Sequence, residues 1–330
     1  MGPSPDGAGS IPSCAAPVPP SRLAHPVTGS QRAEVLRCPA VWEGARPGID
    51  GGQCRRAAAG PFGYGAGVRL RAIPTLLRIG LAEAVAYRAE FLIWLLSTNM
   101  PLVMLALWSA AAADGPIGRY DTQALTAYFL TGLVVRLLTG AWVIWALDAE
   151  IKAGTLSYRL LRPVPPLLAY ACENLAAVPL RLLLSLPVTA VLLFTSSDGH
   201  LSGEPLRWLL FPLAVAGAWA ITFLAMSLVG ALAFYVESAG SIFELWMGLF
   251  GVFSGYLVPL DLYPPWMEAL SRWLPFRYML AFPVELVTGL LPAERIAKEL
   301  LVQWLFVGGL LLLVSLAWRR GLRHFSAVGG

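Results

Sequence analysis

Long apolar stretches, each about twenty residues in length, follow one another between residues 91 and 318. An α-helix needs a stretch of about this length to cross the hydrocarbon core of a bilayer. Charged residues make up only 13% of the chain, whereas soluble domains carry about a quarter. So few charges could not cover a surface that faces water on every side. The sequence therefore predicts an all-α polytopic membrane protein and excludes a soluble enzyme, a coiled coil and a disulfide-stapled secreted domain.

The apolar stretches predict six transmembrane helices. Short polar or proline-rich connections separate them, and they lie at about residues 91–113, 125–147, 175–194, 208–236, 242–260 and 300–318. The connection between spans five and six, residues 261–299, is rich in aromatic residues and interrupted by prolines. Aromatic side chains favour the headgroup level, and no run in this connection is long enough to cross. It predicts a broken outer hairpin of two short re-entrant or interfacial helices.

The N-terminal part of the chain has a different composition. Residues 1–66 are rich in Pro, Gly, Ser and Ala, a composition that cannot bury enough apolar surface to fold. They predict a disordered extension, either a cytoplasmic regulatory tail or a passenger segment, and a true start near Val68 would also explain them. In residues 67–90, Ile73 and Leu77 recur at helical spacing among arginines. This segment predicts an amphipathic interfacial helix, or a polar lead-in to span one.

Basic residues set the expected orientation, because cytoplasmic segments carry the excess of Lys and Arg. With the N-terminus in the cytoplasm, the inner segments hold Arg69, Arg71, Arg78, Arg88, Lys152, Arg159, Arg162, Arg319, Arg320 and Arg323. The outer segments then hold the smaller set Arg119, Arg207, Arg272, Arg277, Arg295 and Lys298. Both termini are therefore expected in the cytoplasm. The preference for arginine over lysine indicates GC-rich coding and hence a bacterial plasma membrane.

The loop between spans two and three, residues 148–163, contains the signals of a short helix. Gly154 permits a sharp turn, and Thr155 is a suitable N-cap for a helix that begins at Leu156. Pro163 would end that helix after about two turns.

The side chains of this helix suggest a contact surface. Leu156 and Leu160 are four residues apart and would stack on one side. Arg159 and Arg162 would add cationic edges. Such a helix, with exposed leucines and arginines, is suited to a partner's groove, although an ordinary connecting loop would have the same composition.

Charged residues inside the spans are candidate functional residues, because burying a charge in a membrane is costly. Arg136 lies near the middle of span two, Glu173 and Arg181 lie at span three, and Glu244 borders span five. The expected pairs are Glu173 with Arg181, or Arg136 with an acid from another span. These charges either line a substrate path or gate, or form satisfied internal ion pairs.

Span five also carries Gly248, Gly251 and Gly255, the last two in G-x-x-x-G spacing. Small residues let helix backbones approach closely in lipid. The glycines therefore predict either a subunit interface or moving seam, or close packing within one subunit.

The sequence contains no pattern typical of a catalytic or metal-binding site. His25, His200 and His324 all fall outside the predicted spans, so a Ser–His pair within the membrane is excluded. The sequence has no metal-ligand spacing and no basic stripe typical of nucleic-acid binding. It also lacks a G-x-x-x-x-G-K-[ST] phosphate loop, so the chain is not expected to hydrolyse ATP itself.

Two segments carry a family resemblance. The pattern E-x-x-x-G-T-L-x-x-x-L-x-R-P at Glu150 to Pro163 resembles the coupling segment of type-2 ABC exporter permeases. The segment SGYLVPLDLYP at Ser254 to Pro264 resembles the same family. The opening at Ala86 to Trp108 is similar to its uncharacterised and drug-efflux-like bacterial permeases. The resemblance covers about residues 69–325 and none of the N-terminal extension.

This resemblance implies a six-span permease domain, residues 91–325, that dimerises with a second copy or a related permease. It implies that residues 155–162 are a coupling helix that enters a separate cytoplasmic ATPase, and that the coupling residues are Glu150, Gly154, Thr155, Leu156, Arg159, Leu160, Arg162 and Pro163. ATP and Mg²⁺ would bind the ATPase, and this chain would hold no cofactor or metal. Its apolar, aromatic spans suit export of a small amphiphilic or lipid-like substrate in contact with membrane lipids. The alternatives are a membrane-embedded lipid- or glycan-modifying enzyme and a non-transporting scaffold.

Overall fold

The computed structural model describes residues 66–86, 99–162, 164–195, 201–236, 239–323 and 325. Nearly all of the predicted extension and the start of predicted span one lie outside these ranges. Within them the regular structure is helical, apart from an isolated bridge between Ile117 and Tyr120. The α-helices are α1 (Ala66–Ala86), α2 (Met100–Ala111), α3 (Thr122–Thr139), α4 (Val143–Lys152), α5 (Leu156–Leu160), α6 (Pro166–Ala176), α7 (Val178–Thr195), α8 (Pro205–Ala231), α9 (Ala239–Phe253), α10 (Pro265–Trp273), α11 (Ala281–Val287) and α12 (Ala293–Gly321).

Four helical stretches in the described part of the chain are long and apolar enough to cross a membrane. They are Thr122–Lys152, Pro166–Val191, Pro205–Phe234 and Ala293–Gly321, and they correspond to predicted spans two, three, four and six. Spans one and five are represented by the shorter apolar helices α2 and α9. The helical, membrane-embedded architecture is thus as expected, and the count of six spans stays a prediction.

Predicted span two is not one continuous helix, because residues 140–142 separate α3 from α4. The break leaves backbone groups without partners inside an apolar bundle, where each must be satisfied by other protein groups. The Arg181 guanidinium donates a hydrogen bond to the Gly140 carbonyl, and the Trp142 N–H donates to Asn174 Oδ1 at 3.4 Å. Polar side chains of the neighbouring helices α6 and α7 therefore hold this break in place.

The centre of the bundle is α8, which packs along α12, α4 and α11. Its largely apolar contact with α12 includes a polar anchor. Buried Gln303 donates from Nε2 to the Ala214 carbonyl at 2.8 Å and to the Tyr278 carbonyl at 3.0 Å. A side chain at Gly217 would collide with Gln303. The small residue on α8 thus lets the Gln303 amide reach the backbone of two other elements, which ties α12 to the core although most of α12 lies on the outside.

The connection between α9 and α12 is a broken helical hairpin, as the prolines predict. The 3₁₀ turn Leu260–Leu262, α10, the 3₁₀ segment Pro275–Met279 and α11 follow one another. The two short helices lie in different environments. Trp266 and Trp273 of α10 are exposed, whereas every residue of α11 is buried. Only α10 is therefore suited to the interface, and α11 belongs to the core.

A buried ion pair fixes this hairpin. Arg277 donates to Glu285 Oε2 at 2.7 Å, and the two side chains are only 8% and 7% exposed. A buried carboxylate that loses its cation is costly, because its charge is then neither solvated nor paired. Replacing Arg277 with Met is therefore expected to lower the free energy of unfolding by about 3–5 kcal/mol. Unfolding in denaturing detergent, followed by circular dichroism, measures this loss.

Two comparisons test the explanation. The double variant Arg277→Met/Glu285→Met is expected to recover most of the loss, since no unpaired charge remains. Arg272→Met removes the more exposed pair with Glu268 and is expected to cost at most about 1 kcal/mol. Equal losses from Arg277→Met and Arg272→Met would contradict a special role for the buried pair.

The N-terminal helix α1 covers most of the segment for which an amphipathic helix is predicted. It packs on α6 at Gly80, where an added Cβ would come within 2.8 Å of the Ala176 Cβ. On its other side Ile79 and Val85 are exposed together with Arg78. The exposed surface is thus mixed in polarity, and its position at a membrane interface stays a prediction.

Candidate functional site

The turn between α4 and α5 brings the predicted contact helix close to the helical body. Gly154 adopts a φ of +72°, which L-residues with a Cβ rarely adopt. The Ser157 hydroxyl donates to the Gly154 carbonyl at 2.8 Å. Thr155 occupies the N-cap position and α5 begins at Leu156, as predicted, but the Thr155 side chain makes no capping hydrogen bond. The hydroxyl of Ser157 stabilises the turn instead.

The contact helix α5 is shorter than the two turns that Pro163 predicts, because it ends at Leu160. Pro163 itself lies outside the described residues. After Leu160, Leu161 remains in the αR region and its N–H bonds back to the Ser157 carbonyl at 3.2 Å. The helical turn therefore persists locally up to the proline.

An ion-pair cluster joins α5 to the body. Arg159 donates from Nε to Glu150 at 2.8 Å and from NH1 to Glu173 Oε1 at 2.6 Å. The Tyr170 hydroxyl donates to Glu150 Oε2 at 2.7 Å, and its ring lies under the guanidinium with 4.2 Å from Cζ to the ring centre. We call Arg159, Glu150, Glu173 and Tyr170 the Arg159 cluster. It connects α5 with both α4 and α6.

The Arg159 cluster overturns two expectations. Glu173 pairs with Arg159 and not with Arg181, whose guanidinium reaches the Gly140 carbonyl. Arg159 is only 19% exposed in its side chain, so it is turned towards the body instead of standing as a free cationic edge. Burial lowers the pKa of Arg159, but the hydrogen bond to Glu173 and the charges of Glu173, Tyr170 and Glu150 outweigh burial and raise the pKa. Arg159 therefore stays cationic.

The leucines of α5 also face differently from the prediction. Leu156 is fully buried, and Leu160 is partly buried against the main core. The exposed residues are Tyr158 at 69% and Leu161 at 84%, next to exposed Arg162. The sequence predicted that Leu156 and Leu160 face outward, but both side chains pack against the apolar core beneath the turn. Tyr158 of α5, together with Leu161 and Arg162 that follow the helix, forms what we call the outer face of α5.

A shallow cleft of about 410 Å³ lies beside this segment and is lined by Lys152 and the residues Ala233, Phe234, Tyr235 and Val236. The Lys152 ammonium bonds to Asp148 Oδ2 at 2.8 Å within α4. Tyr235 and Val236 are exposed. The end of α8 and the end of α4 thus add an open, partly apolar surface near α5.

Arg136 is buried in the bundle within a group of aromatic rings. Its Cζ lies 5.0 Å from the ring centre of Phe250, 5.9 Å from Trp142 and 6.0 Å from Tyr256. Among the described residues no carboxylate forms an ion pair with it. The expected pairing with an acid is therefore replaced by cation–π contacts, which are stronger when the cation is desolvated.

Glu244 and the three glycines fall in different environments. Glu244 is exposed on α9. Gly248 is exposed on the same helix and an added Cβ would meet open space, whereas one at Gly251 would lie 3.5 Å from Leu257 of the same subunit. Gly255 lies beyond the end of α9, with φ of +82° and its carbonyl accepting from Tyr128 at 3.0 Å. The G-x-x-x-G spacing therefore does not form one helical face.

In the described ranges, no group of three or more His, Cys, Asp and Glu side chains could hold a metal ion. The polar clusters that do occur combine acids with arginine or tyrosine.

The model of the family described as ABC-2 family transporter protein matches residues 98–329, which is most of the chain. The chain belongs to this family. It is therefore a membrane-embedded transport permease of the ABC type, as the resemblance of Glu150–Pro163 and Ser254–Pro264 implies. A relative from Bacillus subtilis (strain 168), named "Putative transport permease YvfS", is 23% identical over 176 residues. That alignment covers 51% of this chain and 69% of the relative.

Sequence reasoning did not find three residues that shape the site in this ABC-2 family protein. Tyr170 was not singled out because it lies within an apolar run and only its distance from Glu150 reveals its role. Tyr158 and Leu161 lie inside the coupling segment, but the leucine period drew attention to Leu156 and Leu160. The Gly154 turn could have identified them. It folds the helix back so that Leu156 and Leu160 face the protein core, and this leaves Tyr158 and Leu161 facing outward.

Proposed function

We propose that this chain is the transmembrane subunit of an ATP-driven exporter, which carries a small amphiphilic or lipid-like substrate by alternating access. ABC-2 permeases work with an ATPase subunit, and here the ATPase would be a separate cytoplasmic chain that binds ATP and Mg²⁺. Its partner in the membrane would be a second copy or a related permease. The bacterial plasma membrane, with both termini in the cytoplasm, is the proposed location.

The geometry of α5 is the observation that carries this proposal. One side of the helix is held to the body by buried Leu156 and by the Arg159 cluster, and the outer face is exposed. A helix bound on one side to two different parts of the bundle, α4 and α6, transmits a push on its free side to both. Tyrosine and arginine are enriched at protein interfaces, and exposed Leu161 adds apolar surface beside them.

The proposed architecture has six spans. Four are the long apolar stretches, and the others are formed by residues 91–113, in part α2, and by residues 242–260, in part α9. In this arrangement α1 (with residues 67–90) lies at the inner surface, α5 projects into the cytoplasm and α10 lies at the outer surface. Residues 1–66 precede the permease domain and have no role in the proposal.

The substrate path is proposed to run beside the buried charges. Arg136 and Arg181 both lie near the break between α3 and α4, the first among aromatic rings and the second on the Gly140 carbonyl. Non-helical backbone at membrane depth occurs only where it is buried in protein or lines a water-filled cavity, so the break is a candidate for the wall of the path. The exposed Gly248 of α9 is the proposed contact with the second permease subunit, because a small residue permits close approach of helices.

Docking of the ATPase is tested at Leu161. Leu161→Asp is expected to reduce copurification of the ATPase at least tenfold. Burying an ionised carboxylate in an apolar contact costs more than the roughly 1–3 kcal/mol of a neutral polar group, and about 1.4 kcal/mol corresponds to tenfold. The measurement is the amount of ATPase that copurifies with the tagged permease from membranes. Leu161→Met keeps an apolar side chain of similar volume and is the matched control, expected to retain the ATPase.

The outcome separates the three readings. Loss with Asp and retention with Met supports an ATPase-coupled permease. Full retention of the ATPase by Leu161→Asp would place its binding elsewhere. Absence of any copurifying ATPase would favour the scaffold or the membrane-embedded enzyme. Because Leu161 is 84% exposed, its substitution is not expected to disturb folding.

A further inference from the structure

A deep cleft lies between the outer end of α12, the helix α10 and the 3₁₀ segment that follows α10. Its volume is about 800 Å³, which is within the size range of small-molecule sites. It is unrelated to the α5 segment and to the Arg136 aromatic group, and no residue of the predicted coupling or intramembrane set lines it.

The two ends of the cleft differ in polarity. Arg272, Arg295 and Lys298 line one end together with a single carboxylate, Glu299. Along the other end the walls are apolar and include Phe306, Leu310 and Leu313. Residues at these positions recur on one face of α12, so the charged end continues directly into the apolar end.

The charges at the mouth favour an anion. Glu299 accepts a hydrogen bond from the Tyr278 hydroxyl at 2.8 Å, and Arg272 is paired with Glu268. Arg295 and Lys298 are exposed and form no ion pair with any described residue. Arg272 and Arg295 also line an adjoining polar cavity of about 170 Å³. With the Arg272–Glu268 pair set aside, Arg295 and Lys298 face the single lining carboxylate Glu299, so the mouth keeps a net positive charge.

The length of the cleft matches one leaflet of a membrane. The rise along α12 from Lys298 to Leu310 is about 18 Å, and half of a bilayer's hydrocarbon core is about 15 Å. Exposed Trp273 at the mouth is of the residue type that favours the headgroup level. An acyl chain that starts beside Lys298 would therefore end near Gly309 or Leu310.

Gly309 gives the cleft its depth. It lines the apolar part, and an added Cβ there would meet open space. A large side chain at this position would fill the cleft without colliding with the protein. The neighbouring Gly308 also faces open space but does not line the cleft.

We propose that this cleft is a binding site for an anionic phospholipid of the surrounding membrane, with the phosphate at Arg295 and Lys298 and an acyl chain along α12. The site does not depend on the proposed transport function. It would hold the N-terminal end of α12 and the hairpin together at the level of the headgroups.

Lipid retention by the purified full-length chain tests the site. The protein in mild detergent is exchanged into phosphatidylglycerol or phosphatidylcholine with identical chains, and bound lipid is counted by native mass spectrometry. Phosphatidylglycerol is expected to be retained in preference to phosphatidylcholine. Glycerol 3-phosphate, which has the charge but no acyl chain, is expected not to compete. Equal retention of both lipids, or displacement by glycerol 3-phosphate, would overturn the proposal.

Two matched pairs of variants localise the binding. Arg295→Gln/Lys298→Gln is expected to reduce phosphatidylglycerol retention about 25-fold, since each basic residue at a membrane surface contributes about fivefold. Arg319→Gln/Arg320→Gln removes the same charge from the other end of α12 and is expected to change it little. Gly309→Leu is expected to displace the lipid and Gly308→Leu is not. Equal effects within either pair would overturn the site.

Discussion

Arg159→Met is expected to reduce ATP-driven transport about tenfold while the ATPase still copurifies with the permease. Arg159 is the residue through which the carboxylates of Glu150 and Glu173 hold α5. These side chains are between 19% and 31% exposed, so we expect a loss of about 1–2 kcal/mol, between the values for surface and buried pairs. About 1.4 kcal/mol corresponds to a tenfold change in an equilibrium constant. The outer face of α5 remains intact and keeps its contact with the ATPase.

Arg162→Met is the matched control for this experiment. It removes the same charge three residues away, but from the exposed outer face of α5. Its expected effect is a modest loss of ATPase copurification, without a change in transport per bound ATPase. Transport is measured in vesicles that hold both subunits, and the ATPase activity of the same vesicles is measured alongside. Vesicles that hold the Arg159→Met permease should still hydrolyse ATP, but with much less transport per ATP hydrolysed. Equal behaviour of the two variants would contradict the idea that Arg159 links binding of the ATPase to movement of the transmembrane helices.

The fold class and most apolar helices could be predicted from the sequence, because lipid imposes a simple rule on length and composition. The four long stretches follow predicted spans two, three, four and six closely. The break in span two could not be predicted from residues 125–147 alone. It depends on Arg181 and Asn174, which lie on other helices and satisfy the backbone groups that the break leaves open.

The coupling segment shows the limit of local patterns in another way. Its position and its Gly154 turn could be predicted from residues 148–163. Which face of α5 is turned inward could not, because that choice depends on a core pocket for Leu156 and on Glu173, which comes from α6. A leucine pair at i, i+4 marks an apolar face without saying whether the protein itself or a partner covers it.

Pairing of buried charges was the least predictable feature. Sequence spacing suggested Glu173 with Arg181, since both lie near span three. The structure instead uses each charge to join separate elements: Glu173 binds Arg159 of α5, and Arg181 binds the backbone beside α4. The strongest buried pair, Arg277 with Glu285, lies in the outer hairpin, where short helices and aromatic residues had suggested an interfacial segment without an ionic core.

Arg136→Leu is expected to reduce transport about thirtyfold or more without lowering the free energy of unfolding. The transport estimate follows from the loss of cation–π contacts with Phe250, Trp142 and Tyr256, which for a desolvated guanidinium contribute roughly 2 kcal/mol. The guanidinium is buried and forms no ion pair with a described carboxylate, so removing it also removes a desolvation cost, which offsets the loss of the ring contacts in the free energy of unfolding. Leucine is therefore expected to leave the stability unchanged or higher.

Arg136→Lys decides between the functional and the structural interpretation. If the positive charge acts on the substrate path, Lys keeps the charge and should retain more transport than Leu. If Arg136 serves only to pack against the rings, Lys should be no better than Leu, since an ammonium is more strongly hydrated and cannot stack. Transport in vesicles and unfolding in denaturing detergent are measured for both variants at equal protein levels. Higher transport by Arg136→Lys than by Arg136→Leu, at equal stability of the two variants, would assign Arg136 to the substrate path. Equal transport would assign it to the core.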